Sequence, residues 1–262
     1  MTDFDDIFSG LPYGFSDFSE VKDRLIECRA KARLPENAKT VISVLFPYYL
    51  GEEYYKNSNV SRYAVSEDYH IITAELLNGA AARLKEEYPD SIFEVFIDNS
   101  PLPEVRCAVN AGLGFFGKNS LFINETYGSW VFLGEIVTDR YFEPSKKGRM
   151  TCAGCEECVK SCPMHAITEN GIDRESCLSF LSQKKGELPE GVREKMAEYN
   201  CAWGCDICQK VCPHNKNARV TPVKRFFETA NPNVSEEDGI EGRAFAWRGK
   251  AVIERNLKAV KK

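Results

Sequence analysis

The sequence predicts an α+β protein in three parts: an α/β domain over residues 1–148, a cysteine-rich module over 149–214 and a short basic helical tail over 215–262. Three observations predict it. Apolar β-branched runs alternate with amphipathic stretches through the first half. Nine of the eleven cysteines fall between residues 152 and 212. Finally, residues 213–262 carry eleven Lys/Arg against six Asp/Glu, a net +5, on a chain whose total charge is −5.

The elements follow in order. Residues 17–34 read as a helix, with Asp17 and Glu20 spaced as a capping box. Thr40–Phe46 (TVISVLF) is a buried strand. Residues 68–88 form a helix whose Ile72, Leu76, Ala80 and Leu84 make one apolar stripe. Ser91–Ile97 is a strand stopped by Asp98-Asn99-Ser100-Pro101, Pro103–Ala111 is helical, and Trp130–Thr138 is a third strand. A polar linker, residues 143–149, leads into the cysteines. Ala246–Lys258 reads as a last helix, and for the basic tail a phosphate contact and a solvated helix end are equally good readings.

Composition excludes several classes. With 43% hydrophobic and 28% charged residues the chain is a packed protein, not a disordered one. The net charge argues against a general cationic coat for nucleic acid. No apolar run approaches the roughly 18 residues that cross a bilayer, so no membrane partner is expected. The acidic start (Met1 to Asp6) lacks the basic and apolar regions of a secretory signal. A cytoplasmic protein is expected, and in a reducing compartment clustered cysteines bind metal or do redox work.

Cys152, Cys155, Cys158 and Cys162, the last followed by Pro163, have the bacterial ferredoxin spacing. In that arrangement three close thiolates hold one Fe4S4 cube and the fourth reaches the neighbouring one. Cys205, Cys208 and Cys212, followed by Pro213, repeat the latter part of the pattern. Crossed ligation then puts Cys152, Cys155, Cys158 and Cys212 on one cluster and Cys162, Cys205 and Cys208 on the other. The second lacks a ligand, and spacing alone leaves both Cys177 and Cys201 open. Paired zinc sites are the rival reading of CxxC pairs, but two near-copies ending in Cys-Pro favour two [4Fe–4S] clusters in a ferredoxin-like module. His165 and His214 follow the Cys-Pro pairs and line a cluster rather than ligate it.

Gly112, Gly114 and Gly117 match G-x-G-x-x-G. A dinucleotide site needs a strand directly before the first glycine, and here a helix precedes it. The glycines, with Lys118-Asn119-Ser120, suit close backbone packing or a ligand rich in phosphate or amide groups. Asp68-Tyr69-His70 hints at the D-x-H-x-x-G corrinoid motif, but Thr73 occupies the glycine slot.

Together, Glu67–His70 (EDYH), Ala111–Ser120 (AGLGFFGKNS), Tyr127–Glu135 (YGSWVFLGE), Cys177–Leu181 (CLSFL), Gly204–Gln209 (GCDICQ) and both cysteine runs resemble the epoxyqueuosine reductase family. The likeness runs from about residue 35 to 260. The resemblance implies two [4Fe–4S] clusters and a base-off cobalamin, without a histidine on cobalt, held in the first domain. It favours Cys177 as the eighth ligand. It places Gly112, Gly114, Gly117, Lys118, Asn119, Gly128 and Ser129 along the corrinoid, with Tyr69 at the pocket. The chemistry calls for a proton donor to the departing oxygen, a carboxylic acid of raised pKa or a tyrosine; the resemblance offers Asp98 as that catalytic acid, with a turn-forming aspartate as the equal alternative. Distant relatives are the reductive dehalogenases. The implied partners are a one-electron donor protein of flavodoxin or ferredoxin type and tRNA, whose grip would be weaker without the helical repeats that follow the clusters in full-length members. A non-catalytic electron carrier or activator of a partner protein is the alternative function.

Overall fold

A computed structural model describes residues 2–261. Its elements, in order, are α1 (Phe4–Ile7), β1 (Tyr13–Asp17), β2 (Thr40–Pro47), α2 (Tyr69–Glu87), β3 (Phe93–Phe96), α3 (Glu104–Asn110), β4 (Phe115–Phe116), β5 (Phe122–Ile123), β6 (Val131–Thr138), α4 (Glu157–Ser161), β7 (Ile167–Thr168), β8 (Gly171–Ile172), α5 (Leu178–Ser182), α6 (Glu190–Glu198), α7 (Ile207–Lys210), α8 (Lys224–Glu228) and α9 (Lys250–Val260). β1, β2, β6 and β3 form one sheet in that order. Every neighbouring pair in it is antiparallel, with Thr40 opposite Thr138 and Pro47 opposite Val131.

The first domain is therefore α+β, and the expected α/β character is corrected to this extent. The expectation arose because strands alternate with helices along the chain, a pattern common to parallel-sheet folds. All eight residues of β2 are buried, but by helices covering an antiparallel sheet. Ile42, Val44 and Phe46 pack against Leu77, Ala80 and Leu84 of α2. On the other face Val41 lies with Cys107 and Leu45 with Ala108, both from α3. Two helices thus cover an antiparallel sheet on both sides.

α2 begins where the sequence places it, because the Asp68 carboxylate accepts the His70 backbone N–H. The 17–34 helix is not formed. Asp17 ends β1 and caps only a single 3₁₀ turn through Ser19, and two more 3₁₀ turns follow at Lys22–Arg24 and Arg29–Arg33. Phe18 and Val21, three residues apart, both drop into the core under α3, a spacing that suits a three-residue turn.

The tail is not a solvated end. Phe226, Val234, Phe245, Val252, Ile253 and Leu257 share one core with Tyr48, Val65 and Trp130 of the first domain and with Ala202 and Trp203 between the cysteine runs. Asn256, fully buried, donates to the carbonyls of Ser182 and Ala202 at 2.7 Å each. Among the described residues no helix is long and apolar enough to cross a membrane. Because α9 closes this shared core, Leu257→Ala should destabilise the protein by about 2–5 kcal/mol. Lys258→Ala, on the exposed side, should stay within about 0.5 kcal/mol; urea midpoints of the two variants check this.

Candidate active site

The two cysteine runs are brought side by side by α4 and α7, which pack on each other. Cys152, Cys155, Cys158 and Cys212 line one cavity, closed by Gly117, Lys118, Asn119 and His214. The other thiols gather separately: Cys177 lies within the electrostatic reach of Cys205 and Cys162, and Cys208 within that of Cys205 and Cys177. Thiolates on one cube each take a different iron and stand further apart than the ligands of a single ion. Among the described residues no three Cys, His, Asp or Glu side chains converge as a single-ion site requires.

The surroundings of the sulfurs fit the clusters. Backbone N–H groups point at Cys158 (from Val159), at Cys177 (from Ser179 and Phe180), at Cys205 (from Ile207) and at Cys212 (from His214 and Asn215). Such donors favour the thiolate that binds iron. Cys162 accepts the Ala166 N–H at 3.3 Å. Cys201 is oriented otherwise, its thiol donating to the Tyr199 carbonyl at 3.3 Å and bonding to Cys205. His214 Nε2 is sealed from solvent without a partner in the wall of the first cavity, while its ring meets Phe115 edge-on at 5.0 Å; a cluster sulfide would supply the missing acceptor.

The residues expected along a corrinoid lie in three places. Gly117, Lys118 and Asn119 close the first cysteine cavity, with Lys118 3.7 Å from Glu156 and the Asn119 side chain bonded to Cys208. Gly128 and Ser129 meet the second cysteine run. A Cβ on Gly128 would stand 2.0 Å from Asn215 Oδ1, and Ser129 donates to Gln209 Oε1 and accepts from Asn215 Nδ2, both at 2.8 Å. Gly112 and Gly114 serve chain packing: a Cβ on Gly114 would stand 2.1 Å from the Ile123 carbonyl, and Gly112 is pressed against Lys146.

Tyr69, the remaining candidate, joins Asp98. Its hydroxyl donates to Asp98 Oδ2 at 2.7 Å, and its ring is stacked between His70 and Phe132, both at 4.1 Å. His70 bridges Asp98 at 3.2 Å and Asp68 at 2.7 Å, so both ring nitrogens are committed. That leaves neither for cobalt, which fits a corrinoid without a His70 ligand. Asp98 and Asn99 both have left-handed backbones, φ +44° and +38°, a conformation these two residue types tolerate best after glycine. The Asp98 carboxylate opens onto a cleft of about 640 Å³ lined by Cys28, Asn99, Glu104, Arg106 and Phe116, of the size that takes a drug-sized ligand.

The protonation of this group differs from expectation. Hydrogen bonds from His70, from Tyr69 and from the Asn99 backbone hold Asp98 well below the usual carboxylate range, despite its partial burial. It is a carboxylate here, not an acid of raised pKa. The protons sit on its neighbours: Asp68 and Asp98 push His70 up to about 9, and burial with Asp98's charge raises Tyr69 far above an ordinary phenol. The sequence marked His70 only as part of Asp68-Tyr69-His70, a corrinoid-motif hint that lacks its glycine. Sequence reasoning also missed two buried carboxyls, Glu104 and Glu135, although a lone Glu inside the apolar run VFLGEIVT was a legible signal.

Comparison with known proteins identifies the family. Residues 29–99 match the family model described as "Epoxyqueuosine reductase QueG, DUF1730", and residues 151–215 match that of the "4Fe-4S double cluster binding domain". The epoxyqueuosine reductase of Lactococcus garvieae is 35% identical over 85% of this chain and 68% of its own length. The chain belongs to the epoxyqueuosine reductase family. The Cyclobacterium marinum epoxyqueuosine reductase is 38% identical over 76% of this chain, which spans 66% of that relative. A crystal structure of an epoxyqueuosine reductase with an epoxyqueuosine-modified tRNA-Tyr stem loop superposes with a TM-score of 0.81 at 26% identity, covering 98% of this chain and 78% of that one. A catabolic reductive dehalogenase shares the fold at 15% identity and a TM-score of 0.54, over 98% of this chain and 34% of its own.

The pH dependence of the Asp98–His70 pair follows from the directions of its shifts. His70 is raised from 6.5 to about 9 on folding, so its contribution to stability is complete below about pH 6.5 and fades as pH rises through about 9. Asp98 is lowered from 3.8, so its contribution is present above about pH 3.8 and is lost on acidification. The stability gap between wild type and His70→Gln should be widest between about pH 4 and 6.5 and close at alkaline pH. Urea midpoints across that range measure it, and a gap independent of pH would refute the assignment.

Proposed function

We propose that this chain is a cobalamin-dependent iron–sulfur reductase that converts epoxyqueuosine to queuosine in tRNA, with Asp98 at the reacting oxygen. The observation that carries the reading is the Asp98–His70–Tyr69 group, which bears transferable protons and opens onto a cleft in the same molecule as two quartets of cysteines. A simple electron carrier has no use for such a cleft.

Reducing an epoxide to an alkene consumes two electrons and two protons and releases water. When bound, the clusters pass electrons singly, and the low-valent cobalt of a cobalamin gathers them for the two-electron step. The remaining work falls to the chain. Cys152, Cys155, Cys158 and Cys212 hold one cluster, and Cys162, Cys177, Cys205 and Cys208 the other. Asn119, bonded to Cys208 while closing the first cavity, spans the two. Asp98 passes a proton from the imidazolium of His70 to the departing oxygen, and the Tyr69 ring, braced by Phe132, fixes the carboxylate's position. Gly117 and Lys118 close the cavity of the first cluster, and Gly128 and Ser129 seat the second cysteine run through Asn215 and Gln209. Electrons enter from a one-electron donor protein of flavodoxin or ferredoxin type. The basic groups of residues 213–262 help hold the tRNA phosphates.

Two experiments test this. Anaerobically reconstituted with iron, sulfide and hydroxocobalamin, the protein should reduce epoxyqueuosine in tRNA. Asp98→Asn should lose turnover by about a hundredfold or more while keeping its iron and cobalt; retained turnover would remove Asp98 from the chemistry, and absence of both cobalt and turnover in the wild type would make the chain an electron carrier. Cys177→Ala should lose half of the iron and Cys201→Ala none, and the reverse pattern would exchange the two assignments.

A further inference from the structure

The two cysteine runs contain copies of one unit, offset by 50 residues. Cys158, Cys162, Pro163 and Met164 in the first correspond to Cys208, Cys212, Pro213 and His214 in the second. The copies also fold alike: α4 and α7 begin one residue before Cys158 and Cys208, and they pack on each other. Cys212 lines the cavity of the first cluster, and Cys162 lies with the thiols of the second. The same position of the repeat therefore holds an imidazole, His214, after a ligand of the first cluster, and a thioether, Met164, after a ligand of the second.

The surroundings of the two differ accordingly. Met164 and Cys205 pack against Leu178, Leu188, Val192 and Met196, side chains with no hydrogen-bond donor. His214 stands in the wall of the first cavity with Cys152, Cys155, Cys158 and Cys212. Its Nε2 is sealed from solvent and has no partner among the described residues. The ring is held there from two sides. Phe115 meets it edge-on at 5.0 Å. The next residue, Asn215, pins the backbone by accepting the Ser129 N–H at 2.7 Å and donating to the Gln209 carbonyl at 2.8 Å. A sealed N–H without an acceptor is destabilising, and such groups in native proteins have a reason. The cavity that His214 lines is where an acceptor can stand. His165, the other histidine of the cysteine module, is exposed.

We propose that His214 donates its Nε2–H to the first cluster and so raises that cluster's reduction potential, a contact that Met164 cannot give the second. The inference rests on the cluster assignment above and not on the identity of the substrate. Each cluster takes one electron from the donor protein and becomes more negative by one charge, with no bond made or broken. An N–H aimed at the cluster stabilises the reduced, more negative form more than the oxidised one, so the electron is taken up more readily. Hydrogen bonds to the sulfurs are among the few levers a protein has over this potential. Backbone N–H groups serve thiolates of both clusters, and Asn119 serves Cys208 of the second. At the repeated position only the first cluster has a donor.

The test uses the full chain, reconstituted anaerobically with iron and sulfide and reduced stepwise while its paramagnetic resonance is recorded. His214→Met, which puts the first copy's residue into the second, should keep both clusters. It should lower one of the two midpoint potentials by about tenfold in the reduction equilibrium, about 59 mV for one electron, and leave the other in place. His214→Gln, whose amide keeps an N–H, should stay near wild type, and Met164→Leu should move neither midpoint. A second measurement decides the matter if His214→Met fails to fold. The chain has three histidines, His70, His165 and His214. In protein carrying isotopically labelled histidine, the reduced clusters should show a weak hyperfine coupling to one imidazole nitrogen, retained in His70→Gln and in His165→Gln. Absence of that coupling, or unchanged midpoints in His214→Met with both clusters present, overturns the inference alone. A coupling as strong as that of an iron-bound nitrogen makes His214 a ligand and overturns it as well. A wild type that does not take up two [4Fe–4S] clusters overturns the cluster assignment instead.

Discussion

The architecture depends on one buried carboxylate. Asp206, between Cys205 and Cys208, is 4% exposed and accepts hydrogen bonds from the Ser61 hydroxyl, from the Arg62 backbone N–H at 2.7 Å and from the Gln209 amide at 3.2 Å. Each bond to a charged acceptor contributes about 1.5–3 kcal/mol, and without them the charge would be stranded in the core. The second cysteine run is therefore registered against the first domain at one point. Gln209 and Asn215 extend the registration to Ser129, and Trp203 Nε1 donates to the Tyr63 hydroxyl at 2.7 Å. The relation of cysteines to cleft follows from this set of contacts, made by the same short segment that carries three of the thiols.

The molecule places its carboxyl groups in different dielectrics. Asp98 lies at the surface of the cleft, where hydrogen bonds from His70 and Tyr69 stabilise its charged form. Glu104 in the cleft wall and Glu135 in the core lie where burial favours the neutral forms. Opposite environments drive identical carboxyl groups to opposite charge states, the usual way one site holds both an acid and a base near neutral pH.

The sequence disclosed most of the frame. β2, α2, β3 and β6 were legible because long apolar runs and one strong stripe leave little choice of period. The cysteine runs were legible because ligand spacing is set by the cluster rather than by the fold. The segment 17–34 was misread because an acidic cap such as Asp17, with Glu20 three residues on, starts a 3₁₀ turn as readily as a helix. Asp98 was legible as a position but not as a charge state, since its protonation is decided by His70 and Tyr69, 28 and 29 residues away in sequence. Glu135 escaped notice because only the register of β6 shows that its side chain points inward. The packed tail escaped because Phe226, Phe245 and Leu257 are spread too thinly to look like a core by themselves.

That tail has a consequence for how the protein is made. Tyr48 and Trp130 share their core with Phe245, Ile253 and Leu257, so the first domain's apolar surface is completed only by residues downstream of both cysteine runs. Contacts this distant in sequence form late, and a nascent chain cannot make them until α9 has left the ribosome. Until then the inner faces of Trp203 and Trp130 are open, and so is the scaffold between the cysteine runs. Cluster loading during synthesis would have to work on a loose cradle, which α9 then locks around its iron.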